Sequence, residues 1–279
     1  MAPLCEPLDG FWLPRSLRDS LGEMTWECHS GAAGQSAAAD EGVAVRWPKL
    51  SGEQWERLLD ALQKAREAAM PDLLDRWQRA LKRVPAILMG EPSRLQAIAE
   101  YTGYPVAMLL AAFGQGDLVR LDALMASFAE SPRWATVRDW QPMPAGLPGR
   151  VRFFPDHRRD RWRAALHPTA PLFHAAPPAT MALGFAAGNV PGNGLLLALL
   201  LHVANHTILG GSSAPPPAVL VRNSRQAPLL EPWVLTAIEQ VDPELVAGIS
   251  MLVWDYDDAA LQRLLLGRVD TVVATASDP

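Results

Sequence analysis

The sequence has 279 residues, 49% of them hydrophobic, with 25 basic and 30 acidic side chains and a formal charge of −5. This length admits one large or two modest domains, and the acidic balance argues against a nucleic-acid surface covering the protein. Two cysteines, Cys5 and Cys28, form no metal spacing or disulfide framework, so no metal site and a reducing cytoplasm are expected.

In chain order, residues 1–50 carry Pro, Gly, Ser and Ala without sustained periodicity and read as an irregular N-terminal segment, with a low-complexity loop at 31–42. The opening stretch MAPLCEPLDGFW has no basic n-region or apolar h-region and does not read as a signal peptide. Residues 51–141 form a helical region. Ser51 followed by Glu53 and Gln54 signals a helix start, with Trp55, Leu58, Leu59 and Leu62 on one face. Pro71 suits the first turn of a second helix carrying Leu73, Leu74, Trp77 and Leu81. PSRLQAIAEYTG and PVAMLLAAFG are two more helices, each opened by Pro and stopped by Gly.

Residues 142–179 form a Pro-rich connector, with the basic run RVRFFPDHRRDRWR at 150–163 read as a solvated link. From 180 to 279 short apolar strands alternate with longer helices: strand TMALGFAA, helix GLLLALLLHVAN, strand AVLVR, helix LLEPWVLTAIEQV, strand ISMLVW, helix DDAALQRLLLG and strand DTVVAT. Four strands separated by helices predict a doubly wound parallel sheet, so the fold class is α/β: a helical N-terminal region followed by a nucleotide-binding domain. The longest apolar run, Leu195 to Leu201, is far short of the roughly 18 residues that span a bilayer, so no membrane insertion is expected.

Neither a G-x-G-x-x-G nor a P-loop fingerprint is present. Chemistry concentrates instead at two strand ends. The first strand runs into Gly188-Asn189-Val190-Pro191-Gly192, an amide side chain in a glycine-lined turn. The second delivers Arg222, Ser224 and Arg225 just past the carboxyl edge of the sheet, where open α/β sheets bind ligands. Two guanidiniums and a hydroxyl suit a phosphate, since Arg offers a planar fork of donors. A surface turn with solvated arginines accounts for the same residues equally well. His202 and His206 are four apart, but H-V-A-N-H lacks the glutamate of a zinc helix and no third ligand is evident.

Four segments, LGFAAGNVPG, AVLVRNSRQAPLLEPW, VDPELVAGISMLVWD and VDTVVATASD, resemble in order and spacing the long-chain acyl-CoA reductases of the bacterial bioluminescence fatty-acid reductase complex, within the aldehyde dehydrogenase superfamily. YTGYPVAMLLAAF resembles the helix that precedes the dehydrogenase core there. The resemblance implies that Asn189, with Pro191 two places on, is the oxyanion donor: attack on a thioester builds charge on the carbonyl oxygen, and a preorganised neutral amide stabilises it.

It also implies that Arg222, Asn223, Ser224 and Arg225 stand where the superfamily has a lysine followed by Pro-Ser-Glu, with Arg222 on the adenosine ribose. A glutamate in the last position repels a 2′-phosphate and an arginine attracts one, so Arg225 implies NADP(H). Thr275-Ala276-Ser277 matches a Thr-Gly-Ser turn near the pyrophosphate, with Ser277 as a donor and Ala276 restricting backbone approach. Asp255-Tyr256 departs from the family's Pro-Gly.

The implied reaction is attack of a cysteine thiolate on a fatty acyl thioester, loss of coenzyme A and hydride reduction to a long-chain aldehyde. That cysteine is expected beyond residue 279, so residues 180–279 read as the first part of an NADP-binding domain, and the chain alone is expected to be inactive. The implied partners are a fatty acyl-CoA or acyl-protein donor, an acyl-protein synthetase and a second copy of the chain as a homo-oligomer, with no nucleic acid. The alternative is a non-catalytic nucleotide- or acyl-CoA-binding module built on the same fold.

Overall fold

The computed structural model describes residues 6–30, 43–66, 70, 72–114, 141–142, 150–151, 180–188, 191–203 and 215–275. Its N-terminal part corrects the expectation of an irregular segment. Strands β1 (Leu8–Asp9), β2 (Thr25–Ser30) and β3 (Ala44–Lys49) form a sheet of order β1-β3-β2, with β1 parallel and β2 antiparallel to β3. Between β1 and β2 lies the short helix α1 (Arg15–Leu21), which buries Leu17 and Leu21 and ends at Gly22 with φ 69°. The signal was present in Val43-Ala44-Val45-Arg46-Trp47, whose alternation sends Val45 and Trp47 into the core. It was hidden because β2 pairs with β3 across the low-complexity stretch 31–42.

The helical part follows the predicted pattern closely. In α2 (Gly52–Ala65) the Ser51 side chain accepts from the Gln54 amide at 3.3 Å and the Gln54 side chain accepts from the Ser51 amide at 2.9 Å. This reciprocal cap satisfies donors the helix start would otherwise leave open. Trp55, Leu58, Leu59 and Leu62 are all buried.

Helix α3 (Leu73–Gly90) buries Leu73, Trp77 and Leu81, with Leu74 half-buried against the core. Helix α4 (Pro92–Thr102) opens on Pro92 and stops at Gly103, whose φ of 73° only glycine adopts without strain. Helix α5 (Val106–Gly114) follows Pro105. In the stretch 142–179 the structure describes part of a small antiparallel pair, β4 (Gln141–Pro142) with β5 (Arg150–Val151). The rest of the Pro-rich connector, including most of the basic run, lies outside the described residues.

The C-terminal part is the predicted α/β unit. Strands β6 (Met181–Phe185), β7 (Ala218–Arg222), β8 (Ile249–Leu252) and β9 (Thr271–Ala274) alternate with helices α6 (Asn193–Leu199), α7 (Leu230–Val241), α8 (Pro243–Val246) and α9 (Ala259–Leu266). The sheet is all parallel, of order β8-β7-β6-β9. The chain steps outward from β6 to β7 to β8, then crosses back to lay β9 on the other side of β6. Right-handed crossovers therefore put α6 and α7 on one face and α9 on the other, which is double winding.

β7 and β8 are buried at every position, as strands covered on both faces should be. Gly184 lets α6 lie close on β6, because a Cβ there would come within 2.8 Å of Leu197 Cδ2. The outer edge of β8 carries an antiparallel bridge from the N-terminal part: Trp12 N donates to Met251 O at 2.7 Å and Met251 N donates to Trp12 O at 2.9 Å.

Candidate functional site

The strand order creates a crevice at the carboxyl end of the sheet. Where successive connections leave in opposite directions, from β6 toward β7 and toward β9 on its other side, the loops diverge and leave a gap, the usual ligand position in open α/β sheets. A cavity of about 790 Å³ occupies this position, lined by Phe185, Ala187 and Gly188 after β6, Arg222 and Ser224 after β7, Asp255 and Tyr256 after β8, and Ala274 and Thr275 at the end of β9. Register places Phe185 opposite both Arg222 and Ala274, so three strands end level at its floor.

Gly188 sits hard against the neighbouring loop. A Cβ on it would lie 2.1 Å from Ser224 Oγ and 2.8 Å from Ser224 Cβ, so only glycine permits this approach. Ser224 is fixed in turn, its amide donating to Asn223 Oδ1 at 2.9 Å and its Oγ accepting from the Gln226 amide at 3.1 Å.

Arg222 is almost fully buried. Its Nε donates to Trp254 O at 2.9 Å and its guanidinium carbon lies 3.3 Å from the centre of the Tyr256 ring. Burial lowers its pKa from the usual arginine range, which makes an anion in the cavity a favourable neighbour. Arg225 extends to the rim, where Asp255 Oδ1 lies 2.5 Å from its Nη2 and Glu27 Oε1 3.6 Å. The predicted pair of guanidiniums is therefore brought to one cavity, with Ser224 between them in sequence, and Arg225 arrives already paired.

Thr275 holds the end of β6 in place. Its hydroxyl donates to Phe185 O at 3.1 Å and accepts from Ala187 N at 3.1 Å and Asn193 Nδ2 at 2.7 Å. One donor and both lone pairs are thereby used. Within Thr275-Ala276-Ser277 the sequence points to Ser277 as the phosphate donor. Neither Ser277 nor Asn189, the predicted oxyanion donor, lies within the described residues.

The described residues on either side of Asn189 are nevertheless anchored. On one side Tyr104, between α4 and α5, donates its hydroxyl to Gly188 O at 2.7 Å. On the other, Gly192, with φ 80°, donates its amide to Glu231 Oε1 at 3.1 Å. Glu231 is 2% exposed, its Oε2 has no hydrogen-bond partner among the described residues, and burial pushes its pKa up to about 7. Tyr101 donates to Arg225 O at 3.3 Å, so the helical part reaches both loops of the cavity. His202 is buried and accepts from Trp77 Nε1 at 3.2 Å; His206 lies outside the described residues. Among the described residues no helix is long and apolar enough to cross a membrane.

No family model matches the chain, and no curated protein matches it. Solved structures that it is similar to include a 3,6-anhydro-L-galactose dehydrogenase in complex with NAP, at 13% identity over 96% of this chain and 46% of that one, with a TM-score of 0.48. Another is aldehyde dehydrogenase 21 from Physcomitrella patens in complex with the reaction product succinate, at 15% identity over 97% of this chain and 52% of that one, with a TM-score of 0.46. A third is the NADP-dependent glyceraldehyde-3-phosphate dehydrogenase from Bacillus halodurans C-125 complexed with NADP, at 12% identity over 95% and 47%, with a TM-score of 0.47. The chain spans about half the length of these structures.

Proposed function

We propose that the crevice between β6, β7 and β9 binds the adenosine and pyrophosphate part of a nicotinamide dinucleotide, and that the protein is an NADP(H)-dependent reductase of long-chain fatty acyl thioesters. The observation that carries this reading is the coincidence of a cavity with the switch point of a parallel sheet, at a place where Gly188 lets the loops after β6 and β7 meet and Arg222 supplies a buried cation. A bound dinucleotide would supply the hydride. The work of the chain itself is to hold and orient it: Arg222 and Ser224 toward ribose and phosphate, Thr275 to fix the backbone at the end of β6, and Ser277 as a further donor.

Asn189 is assigned the oxyanion, and the anchoring of Gly188 by Tyr104 and of Gly192 by Glu231 supports that role by fixing the residues on either side of it. The acyl donor is a fatty acyl-CoA or an acyl-protein, handed over by an acyl-protein synthetase to a cytoplasmic homo-oligomer. The thiol nucleophile is not assigned to Cys28, which is exposed on β2.

Among the described residues no cysteine lines the cavity, and this favours a second reading, a binding module that takes up the dinucleotide or acyl-CoA without turnover. Two measurements separate the readings. Calorimetric titration of residues 1–279 with NADPH is expected to give micromolar binding on the order of −8 kcal/mol, and no binding of NADPH or NADH would overturn the dinucleotide assignment. With the protein expressed from its gene in full, NADPH consumption that requires long-chain acyl-CoA and yields aldehyde supports the reductase; binding without turnover supports the module.

A further inference from the structure

Arg225 was the residue from which cofactor choice was read, and its positive charge is already contested. Asp255, in the loop that follows β8, and Glu27, from β2 in the N-terminal sheet, approach the same Nη2 at 2.5 and 3.6 Å. Its Nε has no hydrogen-bond partner among the described residues. One cation thus faces two carboxylates. The two are held differently: Glu27 is gripped by His29 Nε2 at 2.7 Å, and that hydrogen bond, aided by Arg225, lowers its pKa and keeps it ionised. The Asp255 side chain is 55% exposed, and among the described residues Arg225 is its only ion-pair partner. Arg225 and Asp255 both line the cavity, so an anion arriving there meets them as a pair.

We propose that Asp255 is a specificity-determining residue that offsets Arg225 and so sets how strongly the site prefers a 2′-phosphorylated adenosine over an unphosphorylated one. The inference rests on the reading that the cavity takes the adenosine end of a dinucleotide. A phosphate monoester carries between one and two negative charges at neutral pH. To use Arg225 it must displace Asp255 or lie beside it, and like charge in a partly desolvated cleft is costly. A ligand with a 2′-hydroxyl pays no such cost, because a carboxylate accepts its hydrogen bond. Arginine in this position therefore favours the phosphate less than its charge alone implies. The rim exchanges one partner of Arg225 for another instead of offering an unpaired cation.

The test is direct binding, with no catalytic readout. Adenosine 2′,5′-bisphosphate and 5′-AMP differ only in the 2′-phosphate, and the ratio of their affinities for the protein isolates it. Asp255→Asn keeps the size and hydrogen-bonding capacity of the side chain while removing its charge, and is expected to raise the ratio about tenfold. Arg225→Ala is expected to collapse the ratio, and adding Asp255→Asn to that background to restore part of it by removing the repulsion that Asp255 exerts on the phosphate. An unaltered ratio in Asp255→Asn, with both nucleotides still bound, overturns the role of Asp255 and leaves the dinucleotide site standing. Failure of both nucleotides and of NADPH to bind the unsubstituted protein overturns the site itself and the inference with it. Thermal melting of each variant identifies any loss caused by unfolding, and Asp255, exposed and outside the core, is expected to melt as the parent does.

Discussion

Glu231 shows how a single side chain can stand against its surroundings. It is fully buried at the start of α7, and desolvation moves its carboxyl from 4.5 to about 7, outweighing the hydrogen bonds that favour the anion. A carboxyl whose pKa is raised by folding is protonated in the native state over a range where the unfolded chain has already lost the proton. Its contribution to stability is complete below pH 4.5 and is lost as pH rises toward 7, a fall of about 3 kcal/mol. Asp242 and Asp270, whose pKa values are lowered chiefly by hydrogen bonds to Arg76 and Thr180, change stability in the opposite sense and below that window. Urea unfolding of Glu231→Gln is therefore expected to lack the decline between pH 4.5 and 7 that the parent shows; an unchanged pH profile would exclude Glu231 as its source. The residue was visible in the sequence as a lone carboxyl in LLEPWVL, but a glutamate near a helix start ordinarily reads as a charge facing the dipole. Its burial follows from Leu230, Pro232 and Trp233 being buried around it, which no local pattern states. The sequence places Thr275 in a turn near the pyrophosphate but not its role: a threonine at a strand end is unremarkable until its three hydrogen-bond partners, all between Phe185 and Asn193, are known.

Elements were more legible than residues, because each carries its own periodicity and punctuation. The capping box at Ser51, the stop at Gly103 and the strand AVLVR over residues 218–222 all form where the sequence places them. Ser51→Ala removes the oxygen that accepts from the Gln54 amide and is expected to cost about 1 kcal/mol in chemical denaturation, while Ser51→Asp, which can still cap, should cost much less. β1, β2 and β3 were missed because their stability is not local. β1 spans two residues, and β2 meets β3 only after the chain has crossed the low-complexity stretch. Strand order was equally out of reach, since alternation of strands and helices predicts a parallel sheet but does not say that β9 returns to the far side of β6. The cavity depends on that return, so the residues of the candidate site were legible while their convergence was not.

At the scale of the whole molecule, the parts are joined by charge as well as by apolar packing. Arg76 of α3 donates from Nε and Nη2 to the two carboxylate oxygens of Asp242, at the end of α7, and from Nη2 to Glu244 of α8, tying the helical part to the α/β unit. The sheet itself is unevenly protected. β6, β7 and β8 are covered, whereas on β9 Val272 and Val273 are 46% and 38% exposed. Amide hydrogen exchange is expected to follow this gradient, with β7 slowest and β9 faster by at least about tenfold; equal protection of the two strands would contradict it. The bridge from Trp12 to Met251 sets a further condition, one of timing. The segment that seals the edge of β8 is synthesised about 240 residues before the strand it seals. A contact between such distant positions closes a long loop and forms slowly. During synthesis, therefore, the backbone at Trp12 must wait unpaired until β8 emerges, and over that interval the nascent chain is most open to association with other chains.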